Sequence, residues 1–155
     1  ASYIAYLLPP YFRNFNKRVL KTPKLYFYDT GLACHLLRIT DPDQLTQHPY
    51  RGALFENFII NELLKNRYNQ GRPNNLHFWR DRSGHEIDVV IDEGVNMTPV
   101  EIKSGQTVTA SFFKGLQFWE KLTGQTGGLV FYAGDERQQR SSGMTVESWR
   151  EVGGY

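Results

Sequence analysis

The hydrophobic period changes once, sharply, near residue 75, and that change limits the chain to a few architectures. From about Tyr50 to Arg67 the apolar residues Leu54, Phe55, Phe58, Ile59, Ile60, Leu63 and Leu64 recur at helical spacing. Gln70 to Asn75, rich in Gly, Pro and Asn, ends that segment. Beyond it the pattern has period two. Leu76–Arg80 reads as a short strand and Asp81–Gly84 as a turn. His85–Asp92 alternates with Ile87, Val89 and Ile91 on one face, and after a glycine turn Met97–Lys103 alternates again. A helix is expected over Ala110–Leu122 and a strand over Leu129–Ala133. Asp135–Gly143 is expected as a polar loop and Met144–Trp149 as a last strand or helical turn. Helix, three antiparallel strands, helix, strand is an α/β order built around a mixed sheet.

Upstream, residues 3–12 and 24–28 read as strands joined by the polar stretch Asn14–Pro23, a hairpin. Asp29 and Thr30 supply a cap for a short helix through Leu37, and Asp41-Pro42 is a second helix start. The division expected is a hairpin and short helix over 1–40, then the main domain over 41–155. A chain of 155 residues suits one such domain plus a small remnant.

Composition excludes several classes. Hydrophobic residues make up 40%, which is globular rather than disordered. No apolar run approaches the roughly 18 residues of a membrane span. Ala1–Pro10 lacks a basic n-region and a small-residue cleavage site, so no secretory signal is expected. Cys34 is the single cysteine, which excludes a disulfide framework and a multi-cysteine zinc site. It makes a reducing, cytoplasmic setting the default and reads as a small core residue. No P-loop motif is present, so ATPase activity is not assigned to this chain.

The formal charge of +2 is unevenly spread. Residues 1–28 contain Arg13, Lys17, Arg18, Lys21 and Lys24 and no acid, while residues 29–155 hold the remaining 13 basic and all 16 acidic residues. The basic stretch is also aromatic, a combination that suits nucleic acid or an acidic partner, and equally a solvated strand pair.

The chemistry concentrates in the central hairpin. If Asp92 and Met97 flank a four-residue loop, Asp88 falls opposite Glu101 and Glu86 opposite Lys103, all on one face. Opposed like charges cost about 0.2–1 kcal/mol in a sheet. The cost approaches about 4 kcal/mol at roughly 4 Å and an effective dielectric of about 20. A shared proton, Lys103 or a hard divalent cation would each offset it, and a slipped register would remove it. Glu56 shares the helical stripe of Ile59, Ile60 and Leu63, so it is either a third acid that needs a partner or a stripe-edge residue that reaches solvent. Glu62 is expected to reach solvent. Gln117 reads as a surface helix residue, and the four histidines lack metal-ligand spacing.

The ordered set of Glu56, then Gly84-His85-Glu86-Ile87-Asp88, then Glu101-Ile102-Lys103 resembles the PD-(D/E)XK phosphodiesterase superfamily. The longer segments Arg51–Phe58, Phe78–Asp88, Val100–Gly105 and Lys24–Leu32 resemble the domain of unknown function that follows AAA+-type ATPase modules in many prokaryotic proteins. The resemblance implies a restriction-endonuclease-like core preceded by the remnant wing of a winged helix. It implies an upstream ATPase in the same polypeptide, to which any ATP binding belongs. It implies Mg²⁺ or Mn²⁺ held by Asp88, Glu101, the Ile102 carbonyl and, through water, Glu56. Lys103 would then orient water or stabilise the transition state, and Arg80, Arg82 and Lys114 would contact phosphates of DNA. The activity expected is metal-dependent nuclease action. The alternative is an inactive nuclease-like module that docks DNA or a protein for the ATPase. No membrane association is expected, and oligomeric state is left open.

Overall fold

A computed structural model describes residues 3–155, and every structural statement below refers to them. Two short strands, β1 (Ala5–Leu8) and β2 (Lys24–Phe27), pair antiparallel. They are followed by α1 (Thr30–Leu36), α2 (Pro42–Thr46) and the long α3 (Arg51–Asn69). The main sheet contains β3 (Leu76–Arg80), β4 (Glu86–Asp92), β5 (Met97–Lys103), β6 (Gly128–Tyr132), β7 (Gln138–Gln139) and β8 (Met144–Ser148). Its spatial order is β3-β4-β5-β6-β8-β7. The first three strands are antiparallel, β5, β6 and β8 run parallel, and β7 returns antiparallel on the edge. The parallel step from β5 to β6 is bridged by a 3₁₀ turn (Ala110–Phe113) and α4 (Lys114–Thr123), because parallel neighbours need a crossover.

Local chemistry sets the helix ends. The Asp29 carboxylate accepts the Gly31 and Leu32 N–H groups at 2.7 and 3.2 Å, and Asp41 accepts that of Asp43 at 2.7 Å ahead of Pro42 at the first turn. At the end of α3 the Arg72 N–H reaches back to the Arg67 carbonyl at 2.8 Å. Gly71, at φ +63°, supplies the left-handed residue this ending needs.

Helices cover both faces. Ile59, Ile60 and Leu63 of α3 pack on Phe78, Val89, Ile91, Val100 and Ile102. On the other face Trp119 of α4 packs with Trp79, Ile87, Val90 and Met97. Ile87 therefore lies opposite Val89 and Ile91, not beside them as simple alternation predicts. The reason is a bulge. His77 pairs with Val90 and Trp79 with Ile87, so Phe78 alone opposes both Asp88 and Val89. One extra residue on β4 reverses the alternation across it.

Three smaller differences follow from local packing. The expected helix from Ala110 begins as a 3₁₀ turn, the polar loop contains the two-residue β7, and β8 ends in a 3₁₀ segment (Trp149–Gly154). Cys34 is half-buried rather than core. Glu62 reaches Lys65 at 2.6 Å near the surface. No helix is long and apolar enough to cross a membrane.

Candidate functional site

The bulge also decides where the acids go. The β4–β5 register is the expected one, Val89 opposite Val100 through Asp92 opposite Met97. The ladder stops there instead of continuing to Asp88 and Glu101. The Asp88 carboxylate takes its place and accepts the Ile102 N–H at 2.8 Å. A side chain thus closes the backbone pairing at the point where the two strands part.

Glu101 is only 4% exposed, and the two oxygens of its carboxylate are treated differently. Oε2 meets the Lys103 ammonium at 3.0 Å. Oε1 is buried with no hydrogen-bond partner. It presses on Gly115 at the start of α4, where an added Cβ would lie 2.2 Å away. Only glycine leaves room for this carboxylate.

Burial, together with the charges of Glu101 and Glu56, pushes the Asp88 carboxyl well above the usual range, partly opposed by the Ile102 N–H and Lys103. Burial likewise raises Glu101, against the pull of Lys103. For Lys103 burial works against the charge, but Glu101, Asp88 and Glu56 outweigh it and raise its pKa. The cluster is two unhappy carboxyls and one committed ammonium.

Glu86 and Glu56 lie on the α3 side. Glu86 faces Arg80, not Lys103, because the β3–β4 register beyond the bulge pairs those two residues. The Arg80 guanidinium is 3.6 Å from it. Lys24 of β2 reaches in between, 2.7 Å from Glu86 and 2.8 Å from Glu56. The Tyr26 hydroxyl also donates to Glu56. Glu86 and Lys103 therefore do not form the expected cross-strand pair. Glu56 is held by an amine and a phenol, while its charge still acts on Asp88 and Lys103. These residues line an open groove of about 630 Å³ together with Leu36, Leu37 and Leu54.

Among the described residues, no group of three or more His, Cys, Asp and Glu side chains is disposed to hold a metal ion. The structure brings Asp88, Glu101 and Lys103 together and leaves Glu56 in a neighbouring cluster. Arg80 and Arg82 are exposed on either side of buried Asp81. Lys114 is exposed at the start of α4, on the other face of the sheet from Arg80, and does not join them. Gln117 is exposed. Sequence reasoning missed three contributors. Gly115 carries no signal of its own, and Lys24 and Tyr26 lie about thirty residues before the acid they hold.

The fold and cluster together define a mixed α/β domain with a six-stranded sheet and a carboxylate pair, buried Glu101 and half-buried Asp88, at the parting of two strands. The chain belongs to the family DUF4143, described as a domain of unknown function, whose model matches residues 51–152. Residues 1–43 match a second domain of unknown function, DUF8612. Uncharacterized proteins of Mycobacterium bovis and Mycobacterium tuberculosis are each 35% identical over 104 residues. That stretch is 67% of this chain and 23% of either relative, so the chain corresponds to under a quarter of their length.

Proposed function

We propose that the domain is a metal-dependent phosphodiesterase acting on DNA, of the PD-(D/E)XK type with a restriction-endonuclease-like core, serving an ATPase module of the AAA+ type. The observation that carries this reading is buried Glu101, one oxygen of which has no hydrogen-bond donor, beside half-buried Asp88. Two hard oxygen donors side by side fit Mg²⁺ or Mn²⁺, which is commonly held by one or two carboxylates plus water and phosphate. A bound ion would supply Lewis-acid polarisation of a phosphoryl oxygen and acidify a water. Asp88 is oriented by the Ile102 N–H and Glu101 by Lys103 and Gly115, so neither must reorganise. Lys103 stays protonated beside them and can neutralise charge developing on a phosphoryl group. Glu56 has no free place in this donor set while Lys24 holds it.

A second reading is a non-catalytic docking module for DNA or a protein. It is favoured by the ion pairs and hydrogen bonds already engaging Glu56, Glu86, Asp88 and one oxygen of Glu101, and by the absence of a three-residue metal group. Titration calorimetry with Mn²⁺, followed by incubation with linear, branched and single-stranded DNA, separates the two. Phosphodiesterase activity requires Mn²⁺ binding and cleavage that both disappear in Asp88→Ala and Glu101→Ala. Cleavage that survives both substitutions, or a wild type indifferent to Mn²⁺, sinks it.

A further inference from the structure

Residues 10–20 do more than join β1 to β2. They lie along the free edge of the main sheet. Pro10 bridges Phe78, and Val19 pairs antiparallel with Asp81. The Leu20 N–H donates to the Arg80 carbonyl and the Arg82 N–H to the Arg18 carbonyl, both at 2.8 Å. This register sets Arg18 directly across from Arg82, with Arg80 two residues along. All three are exposed.

Directly opposed like charges repel, and nothing in the described residues neutralises them here. Arg13, Lys17, Arg18, Lys21 and Arg82 take part in no ion pair, and only Arg80 has a carboxylate, Glu86, at 3.6 Å. The acid beneath, Asp81, is buried and faces inward to His85. The chain holds 16 acids yet places none in its first 28 residues. An edge this one-sided fits a polyanion.

The charges are spread over two segments rather than gathered into one pocket, so the fitting ligand is extended. Phe12, 73% exposed beside Arg13, adds a face on which a base can stack. Through Arg80 and Glu86 the row runs on to the groove that Lys24 and Glu56 also line. We propose that the edge formed by residues 12–21 and β3 is a track for a nucleic-acid backbone. Naming a phosphodiester chain rests on the function proposed above. The track itself rests on charge and register alone.

The test is fluorescence anisotropy of labelled single-stranded and duplex oligodeoxynucleotides in EDTA over a salt series. Arg18→Gln/Arg82→Gln should weaken binding at least about tenfold and flatten the log–log salt slope by about 1.5–2. Lys65→Gln, an exposed α3 lysine paired with Glu62 and outside these segments, should change neither. Because the paired arginines repel, the double variant should melt no lower than wild type, which separates lost contact from lost fold. Unchanged affinity and slope in the double variant overturn the track. So does displacement of the DNA by polyglutamate as readily as by unlabelled DNA, which would assign the edge to an acidic polypeptide. Mn²⁺ calorimetry on the same proteins keeps the two ideas apart. Salt-dependent DNA binding at this edge without Mn²⁺ binding would sink the phosphodiesterase and leave the track. Mn²⁺ binding lost in Asp88→Asn, with the Arg18/Arg82 slope unchanged, would do the reverse.

Discussion

Gly115 shows how a single residue sets the site's geometry. In a helix, alanine is ordinarily better than glycine by roughly 0.5–1 kcal/mol. Here its Cβ would fall 2.2 Å from Glu101 Oε1, so the carboxylate must leave its place. Gly115→Ala should destabilise the domain by about 1–3 kcal/mol, the usual cost of overpacking. In a Glu101→Ala background the same substitution should become neutral or stabilising, and denaturant melts of the four proteins check that reversal of sign. Asp81 offers a pH-dependent counterpart. Burial alone would raise its carboxyl, but the His85 ring at 3.0 Å and the His85 N–H at 2.9 Å outweigh this and hold it below its ordinary 3.8. A depressed folded-state value adds stability above pH 3.8, and that stability is lost as the pH falls through the lower value. His85→Ala should therefore melt earlier than wild type at mildly acidic pH, with the gap closing on further acidification. A gap that widens toward low pH would show that the pair does not work this way.

Among the elements, α3 ties the small strand pair to the main sheet through two buried asparagines. Asn57 exchanges hydrogen bonds with both backbone groups of Phe27, at 2.8 and 2.9 Å. Asn61 donates to the Phe27 and Tyr28 carbonyls and accepts the Tyr6 hydroxyl. Along a helix the two are one turn apart, so their stripe faces the strand edge. Asn57→Leu strands the Phe27 N–H and should cost about 1–3 kcal/mol. Hydrogen exchange should then show β1 and β2 opening before β4 and β5, whereas uniform loss of protection would refute this tie. The helix containing these residues was legible, because its apolar spacing persists for about three turns, from Leu54 to Leu64. The asparagines' purpose was not, since nothing local distinguishes a buried polar residue from a solvated one. The same limit applies to β4. Its existence and its register with β5 follow from alternation and loop length, but the bulge at Asp88–Val89 depends on how Phe78 fits against it.

At the scale of the whole molecule, the regions matched by the two family models meet at Lys24. Its ammonium, contributed by the 1–43 region, sits between Glu56 and Glu86 of the 51–152 region and lies over the Tyr26 and Phe78 rings. Burial disfavours its charge, yet Glu56 and its other neighbours outweigh this and raise its pKa. It neutralises the acids that would otherwise be open to a divalent ion. Lys24→Met should lower the melting temperature and, if the phosphodiesterase reading holds, tighten Mn²⁺ binding severalfold by calorimetry as Glu56 is released. Equal affinities would show that Lys24 does not compete.

Periodicity and spacing alone determined the order of helices and strands, the β4–β5 register and the placing of Asp88 and Glu101 at one end of that hairpin. These are short-range properties, readable from residues within a few positions of one another. Tertiary structure decided that Asp88 turns to the Ile102 N–H, that Glu86 answers to Arg80 and Lys24, and that Glu56 belongs to Tyr26 and Lys24. The Asp88 and Arg80 contacts depend on the bulge, and the Lys24 and Tyr26 contacts on which distant segment arrives at the sheet edge. A residue's own neighbours in sequence do not encode that arrival; it follows from the burial of the faces around it.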